Sequence, residues 1–162
     1  MTAAITPAIA TILLDASVYT QPKIDAHCHI LDPQRFAYAQ GVPYHPVGQE
    51  TGSADYFTHV HAAYGVRHAL LVQPNSGYSY DNHAMLDAIA RSRGRFKGIA
   101  MVPNDASSQQ LQDLKAQGVV GVAFNVALLG LDFYGCIGTL LQRLADLEMF
   151  ANVQVERDQM AT

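Results

Sequence analysis

Apolar residues arrive in this chain as short dense runs, and between the runs they recur at three- and four-residue spacing. The runs are Lys23–Ile30 (KIDAHCHI), Val66–Gln73 (VRHALLVQ), Phe96–Val102 (FKGIAMV), Val119–Val126 (VVGVAFNV) and Phe150–Val155 (FANVQV). Each is strand-length, with Pro, Gly or polar residues at or near its ends, so each predicts a strand. A helix is predicted over about Ala54–Tyr64, with Tyr56, Phe57, Val60 and Ala63 as its apolar stripe, Ser53 as N-cap and Gly65 as its stop. A second covers about Asp81–Arg93, turning Met85, Leu86 and Ile89 inward, with Gly94 closing it. Ser107-x-x-Gln110 is a capping box that opens a third, which carries Leu111 and Leu114 and ends at Gly118. The fourth, about Cys136–Glu148, has Ile137, Leu140, Leu141, Leu144 and Leu147 at helical spacing.

Strands that alternate with helices and read as nearly continuous apolar runs are the mark of parallel βα units covered on both faces. The fold class is therefore α/β, with a domain running from residue 23 to 162 and residues 1–22 as a leader outside its core. Polar residues collect where the strands end: His27 and His29, Gln73 and Asn75, Asn125, Gln154 and Glu156. In α/β architectures that end of the sheet is where ligands bind.

The composition narrows the class. Of 162 residues 49% are hydrophobic and 15% charged, with net charge −4, so no basic surface suggests nucleic acid or an anionic membrane. Two cysteines, Cys28 and Cys136, suit a reducing compartment better than a disulfide framework. No run approaches the ~18 apolar residues of a membrane span, and no Lys or Arg precedes Lys23, so the expected location is the cytoplasm. Gly-rich phosphate loops and a Ser-centred nucleophile elbow are both missing after the strands.

The chemistry concentrates in Asp25-Ala26-His27-Cys28-His29. Strict strand alternation would put Asp25, His27 and His29 on one face, with two imidazoles about 6–7 Å apart along it. Such a pair can share a metal, a water or a substrate oxygen. Asp25, one pleat deeper, is expected to orient the ring above it through a hydrogen bond. A second His-x-His, His59-Val60-His61, falls on the first helix, where positions i and i+2 are about 200° apart and cannot chelate one ion. Both are expected at the surface. The segment Leu31–Thr51, rich in Pro, Gly and aromatics, is too long for a bare connection and reads as a functional loop.

Several blocks together resemble the amidohydrolase-related (amidohydrolase 2) family, in its branch of lactone hydrolases. They are Asp25–His29, Arg35–Tyr38, Pro43–Pro46, Val72–Asn75, Asp81–Ala90, Gly98–Ala100 and Gly121–Asn125. The resemblance implies a (β/α)8 barrel with the His pair at its catalytic mouth. Such a barrel needs ~250 residues, so the five predicted strands correspond to its N-terminal part, and the expectation is a truncated piece with open strand edges that invite self-association. The resemblance implies hydrolysis of a lactone or related carboxylic ester. The alternatives are a metal-dependent decarboxylase of the same superfamily, or an inactive fragment.

On that resemblance His27 and His29 are the catalytic candidates, either as ligands of a single divalent metal such as zinc or, with no cofactor, as hydrogen-bond donors to a developing oxyanion. No Lys falls on the fourth predicted strand, which speaks against a Lys-bridged two-metal centre. Gln73, Asn75, Ser76 and Asn125 are the expected substrate contacts, with Asn75 and Ser76 competing for one position. The resemblance implies Arg, as in the family's dicarboxylate lactonases, where this chain has Ala123, so Arg35 in the long loop or Arg157 after the fifth strand is left as the carboxylate-binding candidate.

Overall fold

The computed structural model describes residues 17–42 and 44–160. Five parallel strands form one curled sheet in sequential order: β1 (Lys23–Cys28), β2 (Val66–Val72), β3 (Phe96–Ala100), β4 (Val119–Asn125) and β5 (Phe150–Gln154). Each joins the next through a helical segment, giving a half-barrel. The helices are α1 (Ser17–Thr20), α2 (Ala54–Ala63), α3 (His83–Arg91), α4 (Ser108–Ala116), α5 (Val126–Leu129) and α6 (Gly138–Asp146). Among them none is long and apolar enough to cross a membrane. The leader expected over residues 1–22 lies mostly outside the described residues, and its described end forms α1.

Local chemistry accounts for the boundaries. The Ser107 hydroxyl accepts from the Gln110 N–H at 3.2 Å while the Gln110 side chain accepts from the Ser107 N–H at 2.8 Å, so both ends of the capping box are closed. Ser53 caps α2 by accepting from Tyr56 N. Gly65 ends that helix at φ +71°, where a Cβ would sit 2.7 Å from the Tyr19 carbonyl oxygen.

The core lies between sheet and helices. Leu71 of β2, Leu111 of α4, Leu140 of α6 and Ala100 at the end of β3 are fully buried there. Three strand residues stand clear of this core: Ile24 and Phe150 are 70% and 69% exposed and Val153 is half-exposed. These apolar side chains belong to β1 and β5, the two open edges of the described sheet.

On α2 the buried positions are Ala54 and His61, with Phe57 partly buried, while Tyr56 is exposed. Of the stripe expected through Tyr56, Phe57, Val60 and Ala63, Phe57 and Val60 are partly buried while Tyr56 and Ala63 are exposed, so the buried face is rotated. Both sets have 3–4 spacing, so periodicity cannot choose between them. His61 belongs to the buried set, at 4% exposure, and this corrects its expected surface position; His59 is exposed as expected.

β1 also departs from strict alternation. Its register against β2 slips between Asp25 and Cys28, as at a β-bulge. Asp25 consequently meets His61 of α2, on the helix side of the sheet, and does not lie beneath the His27 ring.

Candidate active site

The carboxyl ends of β1, β2, β4 and β5 surround a cavity of about 650 Å³. His27 and His29 line it from β1 and the residue beyond it, Gln73, Asn75 and Ser76 from the loop after β2, and Asn125 from the end of β4. Six of the seven residues singled out from sequence thus converge on one cavity. The seventh, Arg35, does not line it. Its guanidinium makes a two-pronged pair with Asp87 of α3, at 2.8 and 3.1 Å, which corrects its expected place as a carboxylate clamp. Arg157 is exposed and also outside the lining.

The two imidazoles meet edge to face, with centroids 4.9 Å apart. Nδ1 of His29 lies 2.7 Å from the Val72 carbonyl oxygen. A carbonyl only accepts, so Nδ1 carries the proton and Nε2 of the neutral ring keeps its lone pair. Burial pushes the pKa of His27 down, the neighbouring His29 adds to this, and Asp25 opposes it. The neutral form, with a free lone pair, is therefore favoured at His27.

The polar wall is built from amides. Nδ2 of Asn125 donates to Oδ1 of Asn75 at 2.9 Å, so Asn75, and not Ser76, makes the bridge between the ends of β2 and β4. Asn125 Oδ1 accepts from Leu128 N and caps α5, and its own N–H donates to the Tyr134 hydroxyl. Gln73 is 2% exposed, and its Nε2 donates to the carbonyls of Ser79 and Asp81. Its amide nitrogen braces the loop after β2 and is not free to bind a substrate.

Sequence reasoning placed Gln154 at this end of the sheet but missed Tyr44, Ala123, Leu128, Asn152 and Val153 as parts of the lining. For Asn152 a signal existed, since it lies two residues before Gln154 and residues two apart on a strand share a face. Tyr44 lies in the segment Leu31–Thr51 read as a functional loop, but nothing in the sequence singled it out from the loop's other aromatics. That loop is closed at its base by Leu31 and Gly52, which exchange hydrogen bonds at 2.9 and 3.0 Å. It is pinned to the loop after β2 by Ala39 N to the Gly77 carbonyl, by Gly77 N to the Tyr44 carbonyl and by the Tyr78 hydroxyl to the Phe36 carbonyl. Tyr44 in turn donates its hydroxyl to Glu50.

A parallel half-barrel with a His-x-His pair at the mouth of its first strand fits the family suggested by the sequence blocks, and the family model for amidohydrolase matches residues 24–160. The chain belongs to the amidohydrolase family. It is 34% identical over 111 residues to a 2-pyrone-4,6-dicarboxylate hydrolase of Comamonas testosteroni, covering 68% of this chain and 35% of that protein. A 4-sulfomuconolactone hydrolase of Hydrogenophaga intermedia is 31% identical over 101 residues, covering 62% and 32%. Among solved structures, a probable 2-pyrone-4,6-dicarboxylic acid hydrolase from Acinetobacter baumannii, with citric acid bound, superposes with a TM-score of 0.66 at 29% identity, over 80% of this chain and 48% of that one. The chain thus spans about a third of the length of these curated relatives.

Members of the amidohydrolase superfamily commonly use a divalent metal. A ring that donates one N–H to a backbone carbonyl and keeps the other nitrogen free is held as metal-ligating histidines usually are, so His29 fits that role. His27 and His29 provide two donors of the three or four a zinc ion takes. The described metal-type donors that come together as a trio lie elsewhere: Asp25, Cys28 and His61, within 4.8 Å of one another behind β1.

Proposed function

We propose that the protein hydrolyses a lactone, with His27 and His29 acting at the scissile carbonyl. The observation that carries this reading is the convergence of the His pair with the Asn75–Asn125 bridge on one cavity at the carboxyl ends of an amidohydrolase half-barrel. The relatives named for lactone hydrolysis support the same bond type. The amide wall would hold the substrate's ring and carbonyl substituents by hydrogen bonds, and Leu128 and Val153 would cover its apolar edge. A divalent metal held by His27 and His29 would polarise the carbonyl and acidify a water, with its remaining donors supplied from outside the described residues. Without a metal, the N–H of the neutral His27 ring would donate a hydrogen bond to the developing oxyanion.

The cavity's charge speaks to substrate. Among its described lining residues none is Lys or Arg, whereas the two relatives are named for substrates carrying carboxylate or sulfonate groups. We infer a lactone without an anionic substituent facing this wall. The test is turnover of a panel of five- and six-membered lactones, neutral and carboxylated, by the full-length protein and by His27→Ala and His29→Ala. The expected loss in each variant is about 10²-fold or more in kcat, the scale of removing one group that stabilises an oxyanion. Unchanged rates in both variants would exclude the pair from catalysis. Metal analysis of the same preparations separates the two roles of the rings.

A further inference from the structure

His61 is buried at 4% exposure on α2, among the rings of Phe57 and Phe96, whose centroids lie 5.5 and 5.9 Å from its own. A phenyl ring would fill that seat, so packing alone gives no reason for an imidazole. The ring is used for one polar contact: its Nε2 donates to Oδ2 of Asp25 at 3.1 Å, while Nδ1 has no partner. The other oxygen of the same carboxylate, Oδ1, accepts the backbone N–H of His27 at 3.1 Å. These bonds coincide with the register slip between Asp25 and Cys28. The slip is what separates Asp25, on the helix side, from His27 and His29, in the cavity. Without it, residues 25, 27 and 29 would share a face.

We propose that His61, through Asp25, is a positioning residue for His27: the two hold the bulged backbone that turns the His pair into the cavity. The proposal rests on the reading of His27 as a working group of the lactone hydrolase. The two carboxylate oxygens are bonded to different elements. His61 ties the carboxylate to α2, and the carboxylate ties α2 to the peptide of His27. The nearby Cys28 thiol is not needed in this arrangement.

The test compares His61→Phe, His61→Gln, His61→Asn and Cys28→Ala in the full-length protein by lactone kinetics, thermal melting and long-range nitrogen–proton spectra of the histidine rings. His61→Phe keeps the ring's volume and deletes the donor. It should fold, show kcat about tenfold or more lower with KM within about twofold, and shift the ring resonances of His27, in line with the usual effect of removing an orienting partner. Gln places an amide nitrogen near the position of Nε2 and should restore most of the rate, whereas Asn falls short and should not. If His61→Phe does not fold, the Gln–Asn contrast carries the test. Wild-type kinetics and unmoved His27 resonances in the Phe or Asn variant would overturn the proposal. A loss in Cys28→Ala as large as that in His61→Phe would point instead to a metal held by Asp25, Cys28 and His61, and would also overturn it. If the wild-type protein turns over no lactone, the ring resonances still decide. Shifted resonances would then leave the positioning intact while the lactonase reading falls.

Discussion

Asn75 and Asn125, fifty residues apart in sequence, are joined by a single amide hydrogen bond of 2.9 Å between the ends of β2 and β4. The bond orients two amides on one wall of the cavity, and Asn125 has a second duty as the cap of α5. Truncating either residue therefore gives different results. Asn75→Ala loses only the bridge and should raise KM for a lactone about five- to tenfold, the equivalent of one hydrogen bond of about 1 kcal/mol. Asn125→Ala should do the same and also cost about 1 kcal/mol of stability through the lost cap. Kinetics and urea unfolding of the two variants check this.

Arg35 serves the fold through Asp87, and the pair predicts a pH effect. The Arg35 guanidinium, hydrogen-bonded to Asp87 and assisted by Arg91, holds that carboxyl below the usual carboxylate range. A depressed folded-state pKa means that the stabilisation is present in full above the unfolded-state value, ~3.9, and is lost as pH falls through the lower folded value. Asp87→Asn should thus be less stable than wild type at pH 6, with the gap narrowing below about pH 4. Because both partners are partly solvent-exposed, the gap should shrink in high salt. Thermal melts across pH and ionic strength provide the measurement.

What could be read from the sequence divides along a physical line. Ser107 and Gln110 announce a helix start because both halves of their exchange are local in sequence, and Gly65, Gly94 and Gly118 announce helix ends for the same reason. His27 and His29 stand out because two titratable rings on an apolar strand demand an explanation. Asp25 could not be placed, since its face depends on a register slip against β2 that the one-dimensional pattern does not encode, and His61 could not because two stripes of α2 share the same 3–4 spacing. Arg35 was misplaced because its partner, Asp87, is 52 residues away and only the folded chain brings them together.

The two cysteines should differ in reactivity. Cys28 is buried, and burial together with Asp25 pushes its thiol up to about 12, whereas Cys136 is exposed. The thiolate is the nucleophile in alkylation. Native protein treated with iodoacetamide near pH 8 should therefore be labelled at Cys136 and spared at Cys28, and urea should expose both. Peptide mass spectrometry distinguishes the sites. Rapid native labelling of Cys28 would show that the β1–α2 packing opens readily.

Ala123 gives the most direct test of substrate charge. It lies on β4 opposite Asn152, and its side chain lines the cavity with His27, His29 and Asn125. Ala123→Arg would add a guanidinium to a wall whose described residues carry no cation, at a position next to the polar amides. A lactone carrying a carboxylate should then bind more tightly through a paired fork of hydrogen bonds. The expected change is a KM about tenfold lower for a carboxylated lactone, corresponding to a charged hydrogen bond of about 1.5 kcal/mol, with KM for a neutral lactone unchanged or raised by the added bulk. A native enzyme that already prefers the carboxylated lactone, and gains nothing from Ala123→Arg, would show that its anion-binding groups lie outside the described wall.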